Sequence, residues 1–162
     1  MTVFEYNFLG LHKAPLSLTR FQGQPILVVN IATQSSYVHQ LTGLQKIWND
    51  YRNSGLVVLA IPCNDFAERE PDDENSIQAF LDENYQISFP VTRKEYITGR
   101  SAHPLYKQIA EELGRDYLPN WNFTKILFDS KGNFVNSWKA TVQPNDPAIT
   151  HAIESNLQSW IL

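Results

Sequence analysis

Two side chains in this sequence have the type and setting for nucleophilic chemistry, Ser35 and Cys63. Ser35 lies in Asn30-Ile31-Ala32-Thr33-Gln34-Ser35-Ser36-Tyr37, between an apolar strand and an amphipathic helix. A serine hydroxyl attacks an acyl group only with a general base beside it. No motif supplies that base, and there is no G-x-S-x-G elbow. Cys63 is the single cysteine, so no internal disulfide can form. It follows Pro62 at the end of an apolar run, where a free cysteine is ordinarily a small buried hydrophobe. The histidines, His12, His39, His103 and His151, are scattered without metal-ligand spacing. The acidic run Asp72-Asp73-Glu74 reads as a helix N-terminus rather than a metal site. Nothing has the form of a phosphate-binding glycine loop.

The elements that position these residues follow from periodicity. Ile26-Leu27-Val28-Val29-Asn30-Ile31-Ala32, after the turn Gly23-Gln24-Pro25, is the run of a strand buried on both faces. Leu41, Leu44, Ile47, Trp48 and Tyr51 recur at helical spacing, which predicts a helix over about 40–54 capped by Gly55. Leu56-Val57-Val58-Leu59-Ala60-Ile61, stopped by Pro62, is a second buried strand, so the first half is a right-handed βαβ unit. A polar loop over 62–73 leads to a helix marked by Ile77, Phe80, Leu81 and Tyr85. Residues 88–102 are irregular, and His103 to Glu112 form a short helix. Thr124–Phe128 and Phe134–Trp138 flank Asp129-Ser130-Lys131-Gly132-Asn133, a hairpin signal. Ile149, Ala152, Ile153, Leu157 and Trp160 outline a C-terminal helix.

That order predicts an α/β protein of thioredoxin-like fold: a central mixed β-sheet with helices on both faces and a short N-terminal β-hairpin. The 162 residues are read as one domain, with no repeat, linker or low-complexity segment. A net charge of −4 gives no reason to expect nucleic acid or an anionic membrane as partner. No apolar run reaches the roughly 20 residues that span a bilayer. Met1-Thr2-Val3-Phe4-Glu5-Tyr6 has no signal-peptide character, so a cytoplasmic protein is expected.

Four stretches resemble the glutathione peroxidase family. Leu27-Val28-Val29-Asn30-Ile31-Ala32 is similar to the family's L-V-V-N-V-A-S. Ile61-Pro62-Cys63-Asn64-Asp65-Phe66, followed by Arg69-Glu70-Pro71, is similar to F-P-C-N-Q-F-G-x-Q-E-P. His103-Pro104-Leu105-Tyr106 and Trp121-Asn122-Phe123-Thr124-Lys125 match H-P-L-Y and W-N-F-T-K-F. The spacing fits almost without gaps over nearly the whole chain. The short segment from His103 to Trp121 resembles the smaller members, which implies a monomer or weak dimer.

The resemblance implies hydroperoxide reduction by thiols, with glutathione or a thioredoxin-like reductant as partner and no cofactor or metal. In the family a cysteine or selenocysteine attacks the peroxide, surrounded by Gln, Trp and Asn side chains that donate hydrogen bonds to the anion. A helix N-terminus further stabilises that anion. The nucleophile position is Ser35, the Gln position is Arg69, and the Trp and Asn are Trp121 and Asn122. Oxygen cannot form a sulfenic acid. The helix that carries a second, resolving cysteine in some members reads here Phe80-Leu81-Asp82-Glu83, without sulfur.

Each of these residues has a bland reading beside the functional one. Ser35 is a solvated loop hydroxyl or a helix cap. Arg69 is an exposed arginine paired with Glu68 or Glu70, or else a cation suited to a carboxylate, phosphate or sulfate. Trp121 packs the core, Asn122 holds a backbone turn, and His103 caps or orients a helix. Two functions follow. One is a degenerate family member kept as a binding or regulatory module around Ser35, Arg69, Trp121 and Asn122. The other is an active thiol-dependent peroxidase whose catalytic cysteine at this position was mutated to serine. The flanks favour natural loss: Ser36, Val38, His39, Asp65, Ala67 and Arg69 depart from the family pattern as well, and a single engineered change would not alter them.

Overall fold

The computed structural model of the chain describes residues 1–157, which leaves Trp160 of the expected C-terminal helix outside the described residues. Its centre is the strand β3 (Ile26–Ile31), every residue of which is buried. β3 pairs in parallel with β4 (Val57–Pro62), through Ile26↔Val57 to Ile31↔Pro62. On its other edge it pairs antiparallel with β5 (Lys125–Phe128), and β5 continues into β6 (Phe134–Trp138). The sheet order is β4-β3-β5-β6, a mixed sheet. A separate hairpin joins β1 (Asn7–Leu9) to β2 (Pro15–Ser17). The thioredoxin-like architecture and the N-terminal hairpin are as the sequence predicts.

Alternation sorts the strand side chains onto two cores. Leu27, Val29 and Ile31 face Leu41, Leu44 and Ile47 of α1 (Gln40–Tyr51), Ile77 and Leu81 of α2 (Glu74–Tyr85), and Ile149 and Ile153 of α4 (Pro147–Leu157). Ile26, Val28, Leu59 and Ile61 face the hairpin's Phe8 and Leu16 and, from α3 (Pro104–Leu113), Leu105, Tyr106 and Ile109. Among the described residues no helix is long and apolar enough to cross a membrane.

The element limits differ from expectation in small, explicable ways. The helix predicted over 40–54 stops at Tyr51 and tightens into a 3-10 turn over Arg52–Ser54, which Gly55 closes at φ 112°. Pro62 does not stop β4 but is its last residue, paired with Ile31 at the sheet edge where no amide donor is needed. Asp73 caps α2, its carboxylate accepting the Ser76 N–H at 2.8 Å.

One cation is enclosed in the α1 face. Lys125 is fully buried, and its Nζ donates to the carbonyls of Ala140 and Val142, with no carboxylate partner among the described residues. Burial pushes its pKa down to about 7. The unfolded chain therefore binds more protons between pH 7 and the ordinary lysine range, so stability should rise with pH there. Above pH 9 the buried Cys63 thiol, pushed up to about 12, acts in the opposite sense. Denaturant titrations from pH 7 to pH 9 should show the rise, by up to about 1.4 kcal/mol per pH unit. Lys125→Met should flatten it; an unchanged slope in that variant would refute the assignment.

Candidate active site

Residues 32–39 connect β3 to α1 and carry Ser35. The connection is fixed at both ends. At its start the Thr33 N–H donates to Glu70 Oε2 at 2.7 Å, and the Thr33 hydroxyl is hydrogen-bonded to Oε1 of the same carboxyl. The Gln34 N–H donates to the Arg69 carbonyl at 2.9 Å. At its end, Gln40, the first residue of α1, donates from Nε2 to the Ala140 carbonyl that Lys125 also holds.

Between these anchors Ser35 folds onto its own loop. Its N–H donates to Ala32, its carbonyl accepts from Val38, and its Oγ accepts the Tyr37 N–H at 3.1 Å. The expectation of a solvated hydroxyl or helix cap is corrected: Ser35 is 4% exposed, and the residue at the start of α1 is His39, whose side chain makes no capping bond. A tight turn that satisfies the amides within the loop leaves the hydroxyl inside it. Among the described residues, no histidine, aspartate or glutamate is hydrogen-bonded to Ser35.

The second segment is the loop after β4. Ala67 and Glu68 adopt φ 58° and 52°, two successive non-glycine residues in the left-handed region. Where the family pattern has glycine, this chain has Ala67. The arch is held on one side by Asn122, whose Nδ2 donates to the Phe66 carbonyl at 3.2 Å. On the other side the Glu70 N–H donates to Asn64 Oδ1 at 2.8 Å. Asp65 fastens the arch to the irregular segment before α3, accepting the N–H groups of Ile97 and Thr98.

Arg69 is exposed. The expected pairing with Glu68 or Glu70 does not occur, because Thr33 engages both oxygens of Glu70 and no ion pair of Arg69 exists among the described residues. Glu70 is fully buried. Desolvation pushes its pKa up to about 7, partly offset by the hydrogen bonds from Thr33.

The third segment is the turn before β5. Phe123 has φ 69°, an outlier for a bulky residue. Asn30 secures this turn twice: its carbonyl accepts the Phe123 N–H at 2.7 Å, and its Nδ2 donates to the Trp121 carbonyl at 2.9 Å. Trp121 does not pack the core as expected. It is 37% exposed, its ring tilted against Phe66 at a centroid distance of 6.4 Å, because the turn projects it outward. Asn122 is fully buried, and its amide holds the neighbouring loop rather than only its own turn.

Asn30 and Thr33 are the site residues that sequence reasoning missed. The signal for Asn30 was a polar residue inside an otherwise apolar strand; Thr33 gave none. His103 is a helix cap: Nδ1 accepts the Leu105 N–H at 3.1 Å and Nε2 lies 2.7 Å from the Asn7 carbonyl, so the proton belongs on Nε2. Its ring stacks on Phe8, and desolvation lowers its pKa. Cys63 is buried beneath the arch.

A mixed sheet with α1 and α4 on one face and α3 on the other, and a polar site at the end of the first central strand, define a thioredoxin-like protein. The glutathione peroxidase family profile matches residues 3–110. The hydroperoxy fatty acid reductase gpx1 of Synechocystis is 32% identical over 155 residues, 91% of this chain and 92% of that protein. Human glutathione peroxidase 7 is 34% identical over 91% of this chain and 79% of its own length. A crystal structure of Trgpx in apo form superimposes with a TM-score of 0.77 at 25% identity, covering 98% of this chain and 97% of that one. The chain belongs to the glutathione peroxidase family, which reduces hydroperoxides with thiols as co-substrates.

The strained arch gives a direct test. Ala67→Gly should relieve a left-handed alanine and stabilise the protein by about 1 kcal/mol in chemical denaturation. Destabilisation by that substitution would show that the arch is not strained at this residue.

Proposed function

We propose that this chain is a glutathione-peroxidase-type protein whose peroxidase turnover is absent or residual, retained as a binding or regulatory module around Ser35, Arg69, Trp121 and Asn122. One observation carries the reading. The atom at the nucleophile position is an oxygen that accepts a hydrogen bond from the Tyr37 N–H and, among the described residues, has no general base bonded to it. Peroxide reduction by a thiol is two steps: RSH + R′OOH gives RSOH + R′OH, and two further thiols then return RSH with a disulfide and water. Ser35 cannot enter the first step. Cys63, the single cysteine, cannot substitute for it: burial pushes its pKa up to about 12 and leaves no thiolate at neutral pH. The remaining groups suit recognition. Arg69 is an exposed, unpaired cation among the described residues, and an anion such as a carboxylate, phosphate or sulfate is the ligand class it fits. The reading keeps the protein a cytoplasmic monomer or weak dimer without nucleic-acid or membrane partners.

The second reading, an active peroxidase whose cysteine was replaced by serine, is favoured by the retained Trp121 and Asn122 and by the closed hydrogen bonding around the loop. In that case hydroperoxide and glutathione or a thioredoxin-like reductant are the partners. Codon 35 in the source gene separates the two readings at once.

Kinetics separate them as well. With hydrogen peroxide and glutathione or thioredoxin, the Ser35 protein should consume peroxide no faster than buffer; steady turnover would refute the proposal. Ser35→Cys should gain a thiol titrating below the ordinary range of about 8.5 and measurable peroxide reduction if the pocket is otherwise competent. A thiol titrating at that ordinary value, without turnover, would show that Arg69 and the altered flanks have removed the catalytic environment.

A further inference from the structure

The buried carboxyl of Glu70 has no role in the family chemistry given above, yet it is the first anchor of the loop that carries Ser35. Both of its oxygens engage Thr33, its own N–H is held by Asn64, and its carbonyl accepts from Lys94 Nζ at 3.4 Å. Nearby, Gln34 spans from the Arg69 carbonyl to Asp72. The loop cannot shift at Thr33 without breaking contacts that have no water to replace them, since Glu70 is fully buried and Thr33 nearly so.

We propose that Glu70 is the positioning residue of the Ser35 loop, that it holds Thr33 whether ionised or protonated, and that its charge sets how readily position 35 accepts an anion. The inference rests on the binding-site reading of that loop. The donor inventory permits both states. An ionised Glu70 accepts from the Thr33 N–H and from the Thr33 hydroxyl. A protonated Glu70 still accepts the N–H on one oxygen, and donates from the other to the Thr33 hydroxyl oxygen, whose own hydrogen turns away. Threonine is the adapter: its hydroxyl is donor in one state and acceptor in the other.

The electrical consequence follows from reach. Ser35 is two residues beyond Thr33, so their Cα atoms are at most about 7 Å apart. A buried charge beneath Thr33 therefore acts on position 35 with little screening. Ionised, it opposes any anion there; protonated, it does not. The charges facing Glu70 are Asp72 on its own segment, which raises its titration, and Lys94 from the segment before α3, which lowers it. The stretch Ala32–Val38 brings no charged side chain. Burial exceeds these contributions and places the titration at about 7, so the change falls in the neutral range. Relative to the unfolded carboxyl near 4.5, the raised value means that the contribution of Glu70 to stability is present at low pH and lost as pH rises from about 4.5 to about 7.

Two measurements test this without peroxidase activity, so failure of the binding-module reading would not be mistaken for failure here. In amide-resolved NMR of the unmodified protein from pH 5 to pH 9, the Thr33 N–H should titrate with a midpoint near 7. Glu70→Gln, whose amide reproduces the protonated pattern, should fold and abolish that titration. In Ser35→Cys, the pH dependence of alkylation by iodoacetamide reports the thiol pKa. Adding Glu70→Gln to that variant should lower the thiol pKa by about half a unit or more, a change that a purely structural anchor would not produce. A Thr33 amide without a pH response, a response that persists in Glu70→Gln, an unfolded Glu70→Gln by circular dichroism, or identical thiol titrations in the single and double variants would each overturn the proposal.

Discussion

The double pairing of β3 is the constraint on which the site depends. β3 is hydrogen-bonded to β4 on one edge and β5 on the other, and side chains from both cores cover its faces. Such a strand has no soft direction. Its C-terminal end, from Asn30 to Ala32, is a fixed point from which three loops are hung: the Ser35 loop covalently, the arch through Glu70 on Thr33, and the Trp121 turn through the backbone carbonyl and Nδ2 of Asn30. Two of those loops hold residues in the left-handed region, and such conformations persist only where surrounding contacts over-determine them.

The residues that hold the loops and the residues that differ from the family pattern are separate sets in this chain. The groups that hold the three loops are present and bonded in pairs: Asn30 to the Trp121 carbonyl, Thr33 to Glu70, and Asn122 to the Phe66 carbonyl. The groups that differ from the family pattern, Ser35, Arg69 and Ala67, lie on the loops so held. A scaffold residue cannot be lost without leaving a buried polar partner unsatisfied. A nucleophile can be exchanged for a smaller hydroxyl with little effect on packing.

Polar burial is the second theme. Glu70 and Lys125 are both enclosed, and among the described residues neither is paired with an opposite charge. Each is instead satisfied by backbone groups of a loop, and Glu70 also by a hydroxyl. Both sit at the ends of the Ser35 loop, one through Thr33 and one through the Ala140 carbonyl shared with Gln40. Directional bonds to loop backbone fix geometry in a way that apolar packing does not, and the cost is a pair of perturbed titrations near neutrality.

The sequence alone determined the architecture and marked the loops of the candidate site. Apolar runs such as Leu27–Val29 and Val57–Ile61, and the helical spacing of Leu41, Leu44 and Ile47, encode local periodicity, and periodicity is enough to order the elements. The motifs around Ser35, Arg69 and Trp121 marked the three loops for the same reason: they are contiguous strings. Burial and pairing between distant segments were not legible. That Ser35 is enclosed, that Trp121 is exposed, that Arg69 leaves Glu70 alone, and that Thr33 and Asn30 hold the site all depend on contacts spanning tens of residues. No local pattern encodes those contacts, because side chains of the same type can face water or protein according to how the loops close. Tertiary structure decided them by closing three loops on one immovable strand end.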